Sequence, residues 1–108
     1  MQTAEPPVFD AAQLHRHTSG DPAMQVEVLA LFANEAERLM RQIDDATDAQ
    51  KRSDRVRALA SLARTTGAAM LAHQARMAEP KMMAENPDLA PLRDAVATTL
   101  AFVRRSGI

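Results

Sequence analysis

Residues 48–79 read DAQKRSDRVRALASLARTTGAAMLAHQARMAE, and this stretch decides the fold. Apolar residues recur in it every three or four positions on both sides of Gly67, which is the spacing of helices with one buried face. Glycine permits a sharp change of direction at a helix end, and proline stops a helix. The stretch therefore predicts two helices joined at Gly67, one at about 50–66 and one at about 68–79, ended by Pro80.

Further helices are predicted on both sides of this stretch. Asp21-Pro22 and Asn86-Pro87 each combine a capping side chain with a proline at the first helical position. They begin predicted helices at about 22–47 and about 87–104, and Asp10 caps a short helix that precedes them. One apolar stripe per long helix is expected to be buried, formed by Val28, Phe32, Leu39, Ile43, Leu59, Ala63, Leu71, Leu92, Val96 and Leu100.

The composition agrees with a single helical domain. The chain has 108 residues, of which 46% are hydrophobic but only 3% aromatic, so the core must be built from aliphatic side chains. Helix formers dominate, and short joints favour antiparallel neighbours. The sequence thus predicts an all-α fold, an up-and-down antiparallel four-helix bundle with a short N-terminal helix. Residues 1–8 are expected to be a flexible tail and residues 9–108 the domain.

Composition also excludes several classes of function. The chain contains no cysteine, which excludes disulfides, zinc-thiolate sites and thiol nucleophiles. The net charge of −1 gives no indication of nucleic-acid binding, and no apolar run is long enough to span a membrane. The first residues do not resemble a signal peptide, so a cytoplasmic location is expected. His15 and His17 lie on nearly opposite sides of a short helix and cannot chelate one metal together.

No set of residues in the sequence is suited to catalysis. The chain is therefore not predicted to be an enzyme. No cofactor, bound metal, membrane or small-molecule substrate is expected, and partner proteins are the remaining class of ligand.

Seven residues of the central stretch fall in register with a known pattern: Leu59, Ala63, Gly67, Ala68, Leu71, Ala75 and Glu79. The pattern is roughly A-H-x-L-K-G-x-A-x-x-L-G-A, followed by a helix of the type L-A-x-x-A-x-x-L-E. The stretch thereby resembles, without a gap, the core of histidine phosphotransfer (HPt) domains, which carry phosphoryl groups between histidine kinases and response regulators. The resemblance extends upstream through Phe9-Asp10, Leu14, Gly20-Asp21-Pro22 and Leu31-Phe32.

The residues that perform chemistry in HPt domains are replaced here. Arg57 stands at the position of the phosphorylated histidine, Ala60 at that of a lysine, and Ser61 at that of a glycine. The guanidinium of arginine stays protonated and offers no lone pair to a phosphoryl group. The resemblance therefore implies an HPt-like module that binds a response-regulator receiver domain or a histidine kinase without carrying phosphate.

Helical geometry places the candidate partner-binding residues on one face. At about 100° per residue, Asp54, Ser61 and Arg64 lie within roughly 60° of Arg57, on the side opposite the apolar stripe. The resemblance makes this face the docking centre, with Ala60 beside it. Receiver domains present carboxylates around their phosphorylatable aspartate, and arginine forms charge-assisted hydrogen bonds with such groups.

Two other interpretations remain open. In the first, the chain is an active phosphocarrier that uses another histidine, with His73 as the candidate and Gln74 and Arg76 as weak supporting donors. In the second, the chain is a helical interaction or dimerisation module unconnected with phosphorelay.

Several side chains are assigned from their helical positions alone. Arg52 falls near the apolar side at a helix start, from which its long side chain is expected to reach solvent. Met70 and Met77 are expected in the core, where methionine replaces missing aromatic bulk. Met82 and Met83 lie in a joint and are expected to cover one end of the fold.

Overall fold

The computed structural model describes residues 6–105, and the regular structure within this range is entirely helical. The helices are α1 (Ala11–His17), α2 (Pro22–Asp45), α3 (Ala49–Thr66), α4 (Ala69–Ala78) and α5 (Ala90–Arg105), with a short 3-10 turn at Glu79–Lys81 after α4. The all-α prediction is confirmed. No helix of residues 6–105 has the length and apolar character needed to cross a membrane.

The ends of the predicted domain fall partly outside the described range. Residues 1–5 of the expected tail and residues 106–108 lie outside the described residues. Within the range, the carbonyl oxygen of Pro7 accepts a hydrogen bond of 2.9 Å from the Met70 backbone N–H. Residue 7 is therefore held against the start of α4.

Aspartate side chains cap the first three helices, at Asp10 and Asp21 as predicted and at Asp48 without a prediction. Asp10 Oδ1 accepts a hydrogen bond from the Gln13 N–H at 3.1 Å, and Asp21 Oδ1 accepts one from the Ala23 N–H at 3.0 Å. Asp48 does the same for α3. Such caps satisfy backbone donors that have no partner within the helix, each stabilising by about 1 kcal/mol.

The start of α5 differs from the prediction. Asn86-Pro87 was expected to begin the helix, but it begins at Ala90. Asp88 Oδ1 accepts the Ala90 N–H at 3.0 Å, and Pro91 takes an early helical position. The sequence thus contains two successive pairs of an Asx residue and a proline, Asn86-Pro87 and Asp88 with Pro91. The helix begins at the second pair.

The long helices enclose one core, which is aliphatic apart from Phe32. Helix α3 packs against α2 and α4, and α5 packs against the same two helices. Nine of the ten side chains predicted to be buried together are buried, and Val28 is only partly covered. The core therefore lies where the apolar stripes place it.

Two of the four methionines assigned by position are placed differently. Met77 was expected in the core but is 54% exposed, because it lies on the outer face of α4. In the joint after α4, Met82 is fully buried whereas Met83 is exposed. Met70 is half-buried against the core, in agreement with its prediction.

Arg52 does not extend to solvent as expected. Its residue is only 8% exposed. The guanidinium donates hydrogen bonds to Met82 O from Nε and Nη2, at 3.1 and 2.8 Å, and from Nη2 to Ala84 O at 3.0 Å. Carbonyl oxygens of the joint replace water around the buried charge, so Arg52 connects α3 to the chain between α4 and α5.

Gly67 forms the joint between α3 and α4. Its φ of 97° is a left-handed value that favours glycine. A Cβ at this position would lie 3.3 Å from Asp10 O, and Gly67 O accepts a hydrogen bond of 2.7 Å from Asp10 N. The glycine therefore both turns the chain and lets the start of α1 approach closely.

Candidate functional site

The exposed face of α3 carries the residues predicted to bind a partner. Arg57, Ser61, Arg64 and Asp54 are exposed, and Ala60 is buried beside them. All except Asp54 line one groove of about 330 Å³ between α3 and α4. The structure therefore brings four of the five candidate residues into one concave surface, and Asp54 adjoins it through Arg57.

Two residues from the second side of this groove complete it. Arg76 of α4 and Glu79, in the turn that follows, line the groove together with the α3 residues. From the sequence, Arg76 was expected only as a weak supporting donor for His73, and Glu79 only as one of the residues in register with the HPt pattern. Arg76 and Glu79 are three residues apart, which places them on the same face of a helix. This spacing is the feature of the sequence that could have indicated both residues.

Arg57 is paired with carboxylates of its own chain. Its Nε donates to Glu79 Oε2 at 3.0 Å, and its Nη1 lies 3.9 Å from Asp54 Oδ1. The Arg57 side chain is nonetheless 64% exposed. An exposed pair of this kind contributes about 0–1 kcal/mol, so an approaching anion displaces Glu79 at small cost.

Arg64 and Arg76 have no carboxylate partner within residues 6–105. Three guanidinium groups and one carboxylate line the groove, so its formal charge is positive although the whole chain carries −1. The Ser61 hydroxyl adds a neutral donor, and the small side chain of Ala60 leaves the floor open. Such a surface attracts oxyanions and carboxylates.

His73 lies in an adjoining groove of about 220 Å³. Arg64 and Arg76 line this groove as well, together with Gln13 of α1. Gln74, expected as a donor for His73, instead lines a separate groove with Met70 and Asp94 against α5. The half-buried imidazole therefore has two guanidinium groups near it and no carboxylate lining its groove.

The remaining histidines do not form a metal site. Neither His15 nor His17 belongs to a group of three or more His, Asp or Glu side chains arranged to hold an ion, and residues 6–105 contain no such group elsewhere. His15 packs instead against the turn at Gly20, where a Cβ on the glycine would meet its ring.

A larger and more apolar groove of about 530 Å³ lies on the other side of α3. Val28, Leu31 and Phe32 of α2 line it with Leu62 of α3, and Leu31 is 70% exposed. At its edge Arg38 donates hydrogen bonds to the Glu35 carboxylate, which lowers the pKa of Glu35 from its ordinary value. His17 also lines this groove, but its one guanidinium, that of Arg38, is paired with Glu35. The groove lined by Arg57, Arg64 and Arg76 is therefore taken as the candidate site.

No protein-family model, curated protein or solved structure matches this chain. The resemblance to HPt domains therefore rests on the residues of the central stretch and the positions upstream of it.

Proposed function

We propose that the chain is an HPt-like module of two-component signalling that binds a receiver domain or a histidine kinase without carrying phosphate. The observation that carries the proposal is the position of Arg57. It is exposed at the groove between α3 and α4, at the residue where the resembled family has its phosphorylated histidine. An arginine there retains the docking position but removes the nucleophile.

The proposal includes an up-and-down antiparallel four-helix bundle formed by α2 to α5, preceded by α1. Its support is that consecutive long helices pack on each other and α5 also contacts α2. The joints at residues 46–48 and 67–68 are too short for parallel neighbours. In this arrangement the face carrying Arg57 is free for a partner.

The charge of the groove suits the acidic pocket of a receiver domain. Arg57, Arg64 and Arg76 offer forked N–H donors that match carboxylates bidentately. Releasing Glu79 from Arg57 costs at most about 1 kcal/mol, whereas a desolvated arginine at the centre of an interface contributes about 2 kcal/mol or more. Replacing Glu79 by a carboxylate of the receiver domain as the partner of Arg57 is therefore favourable.

Titration of variants against receiver domains tests the proposal. Arg57→Ala and Arg64→Ala are compared with wild type and with Arg55→Ala, a control on the exposed surface of the same helix, outside the groove. We expect Arg57→Ala to weaken binding by about thirtyfold, equivalent to about 2 kcal/mol, and Arg55→Ala to change it little.

The opposite pattern would place the docking surface elsewhere. If both groove variants bind like wild type while a bulky substitution on α5, such as Thr98→Arg, abolishes binding, the face of α3 is not the interface. The resemblance would then concern the fold alone.

The second candidate is an active phosphocarrier that uses His73. The observation in its favour is the pair of guanidinium groups, Arg64 and Arg76, in the groove that His73 lines. Incubation with a phosphorylated receiver domain, followed by detection of acid-labile phosphate, distinguishes the two. Stoichiometric phosphohistidine that is lost in His73→Ala and retained in His15→Ala would favour this candidate.

A further inference from the structure

We propose that the groove between α3 and α4 is a noncovalent site for a phosphoryl group presented by the partner. This inference rests on the proposed function. It states that the module binds the phosphorylated form of its receiver more tightly than the unphosphorylated form. No bond to phosphorus forms or breaks. The module would report the phosphorylation state of the partner without changing it.

The charge of the groove matches a phosphoryl dianion. Among the residues that line the groove, Arg57, Arg64 and Arg76 provide three positive charges and Glu79 one negative charge, a formal +2. Asp54, which adjoins the groove 3.9 Å from Arg57 Nη1, offsets part of this charge. A phosphoryl group carries about −1.5 to −2 near pH 7. A single carboxylate would leave part of the groove charge uncompensated, so the phosphorylated partner is the better electrostatic match.

The donors of the groove match the oxygens of a phosphoryl group. Arg64 and Arg76 have no carboxylate partner within residues 6–105, and the Ser61 hydroxyl makes no hydrogen bond there. Each guanidinium can contact two phosphoryl oxygens through its forked N–H groups. Ala60, which is buried at the groove, carries only a methyl group and leaves room at its floor.

Glu79 competes with an incoming anion for Arg57. Its carboxylate accepts the Arg57 Nε–H at 3.0 Å and so occupies a donor that a phosphoryl oxygen would use. Removing its charge should therefore strengthen anion binding, whereas removing an arginine should weaken it. A variant that improves binding cannot be explained by damage to the fold.

The first experiment uses inorganic phosphate and phenyl phosphate as probes, at constant ionic strength set with chloride. Binding is followed through the arginine Nε–H signals in NMR spectra of the whole chain. We expect about tenfold weaker binding for Arg64→Ala and Arg76→Ala, since each removes a charge-assisted hydrogen bond. Glu79→Gln should bind about fivefold more tightly, and Arg55→Ala should equal wild type.

An equal response of all arginine signals to phosphate would contradict the proposed anion site. If phosphate shifts the Arg55 signal as much as those of the groove arginines, or if Glu79→Gln weakens binding, the groove holds no specific anion site. Selective shifts at Arg57, Arg64 and Arg76 with the expected order of variants support it.

The second experiment compares a receiver domain in its phosphorylated and unphosphorylated forms. Tighter binding of the phosphorylated form, with the preference lost in Arg76→Ala, supports the inference. Equal binding of both forms overturns the inference but leaves the proposed function standing. Selective phosphate binding without binding to any receiver supports the anion site while contradicting the proposed function, so the two failures are distinguishable.

Discussion

At the scale of single residues, Arg57 determines the chemistry available at the exposed face of α3. Its protonated guanidinium has no lone pair for phosphorus, and its exposed position leaves it available for hydrogen bonds. We expect the wild-type chain to gain no phosphohistidine from a phosphorylated receiver. Arg57→His alone should also stay inactive, because Ala60 and Ser61 do not supply the lysine and glycine of the resembled family. Acid-labile phosphate measures both, and stoichiometric uptake by either protein would contradict this expectation.

Arg52 shows how a charged residue can belong to the core. Because its guanidinium supplies hydrogen bonds to Met82 O and Ala84 O, removing it leaves these acceptors without their donors. We expect Arg52→Ala to lower the free energy of unfolding by about 2–3 kcal/mol. Arg55→Ala, on the exposed side of the same helix, should change it by less than about 0.5 kcal/mol.

The measurement is urea denaturation followed by far-UV circular dichroism, because the chain lacks tryptophan and tyrosine as fluorescent probes. Equal stabilities of the two arginine variants would show that the hydrogen bonds of Arg52 contribute nothing net.

At the scale of elements, the joint between α3 and α4 depends on the conformation of one residue. Gly67 has a φ of 97°, and a Cβ there would approach Asp10 O to 3.3 Å. We expect Gly67→Ala to destabilise the fold by about 1–3 kcal/mol, through strain in the left-handed region. Asparagine tolerates this region better than alanine, so Gly67→Asn serves as the graded control.

Thermal denaturation separates the two causes at the joint. If strain in φ dominates, Gly67→Asn should melt above Gly67→Ala. If contact of the Cβ with Asp10 dominates, the two variants should melt alike, and an unchanged melting temperature in both would contradict the argument altogether.

Sequence periodicity predicted the helices well because local patterns determine them. Asp10, Asp21 and Asp48 cap their helices through hydrogen bonds to residues two or three positions further along the chain. Both partners of each hydrogen bond therefore lie close together in the sequence. The helix α5 begins three residues later than predicted, because two possible cap residues, Asn86 and Asp88, follow each other in the sequence and the Asp88 side chain accepts the Ala90 N–H.

Residues that depend on distant partners could not be predicted in the same way. The partners of Arg52 lie 30 and 32 positions away, and Glu79 lies 22 positions from Arg57. Helical geometry placed Arg57, Ser61 and Arg64 on one face, but it could not pair that face with Arg76 across the groove. The arrangement of α4 beside α3 supplies this information.

At the scale of the whole molecule, all three aromatic residues of the chain meet. The Phe9 ring lies edge-on to Phe32 at 5.6 Å and stacks on Phe102 at 5.4 Å. The segment before α1 is thereby joined to both α2 and α5. Exposed ion pairs such as Arg93–Asp44 and Arg104–Glu37 also connect α2 and α5, but pairs of this kind contribute about 0–1 kcal/mol each.

The aromatic contacts should therefore matter more to stability than these ion pairs. Phe→Ala changes in a full core cost about 3–5 kcal/mol, and Phe9 is only half-buried, so we expect Phe9→Ala to cost about 2 kcal/mol. Arg93→Ala should cost less than about 1 kcal/mol. Phe9→Leu keeps apolar bulk without the ring contacts and should fall between Phe9→Ala and wild type.

The shape of the melting curve tests whether Phe9 belongs to the common core. Because its ring contacts α2 and α5 together, its loss should lower one cooperative transition, by roughly 10 °C for about 2 kcal/mol in a domain of this size. If Phe9 held only α1 in place, the variant would instead lose a small part of its helical signal in a separate early step. The main transition would then remain at the wild-type temperature, and the three aromatic residues would stabilise one end of the chain and not the whole fold.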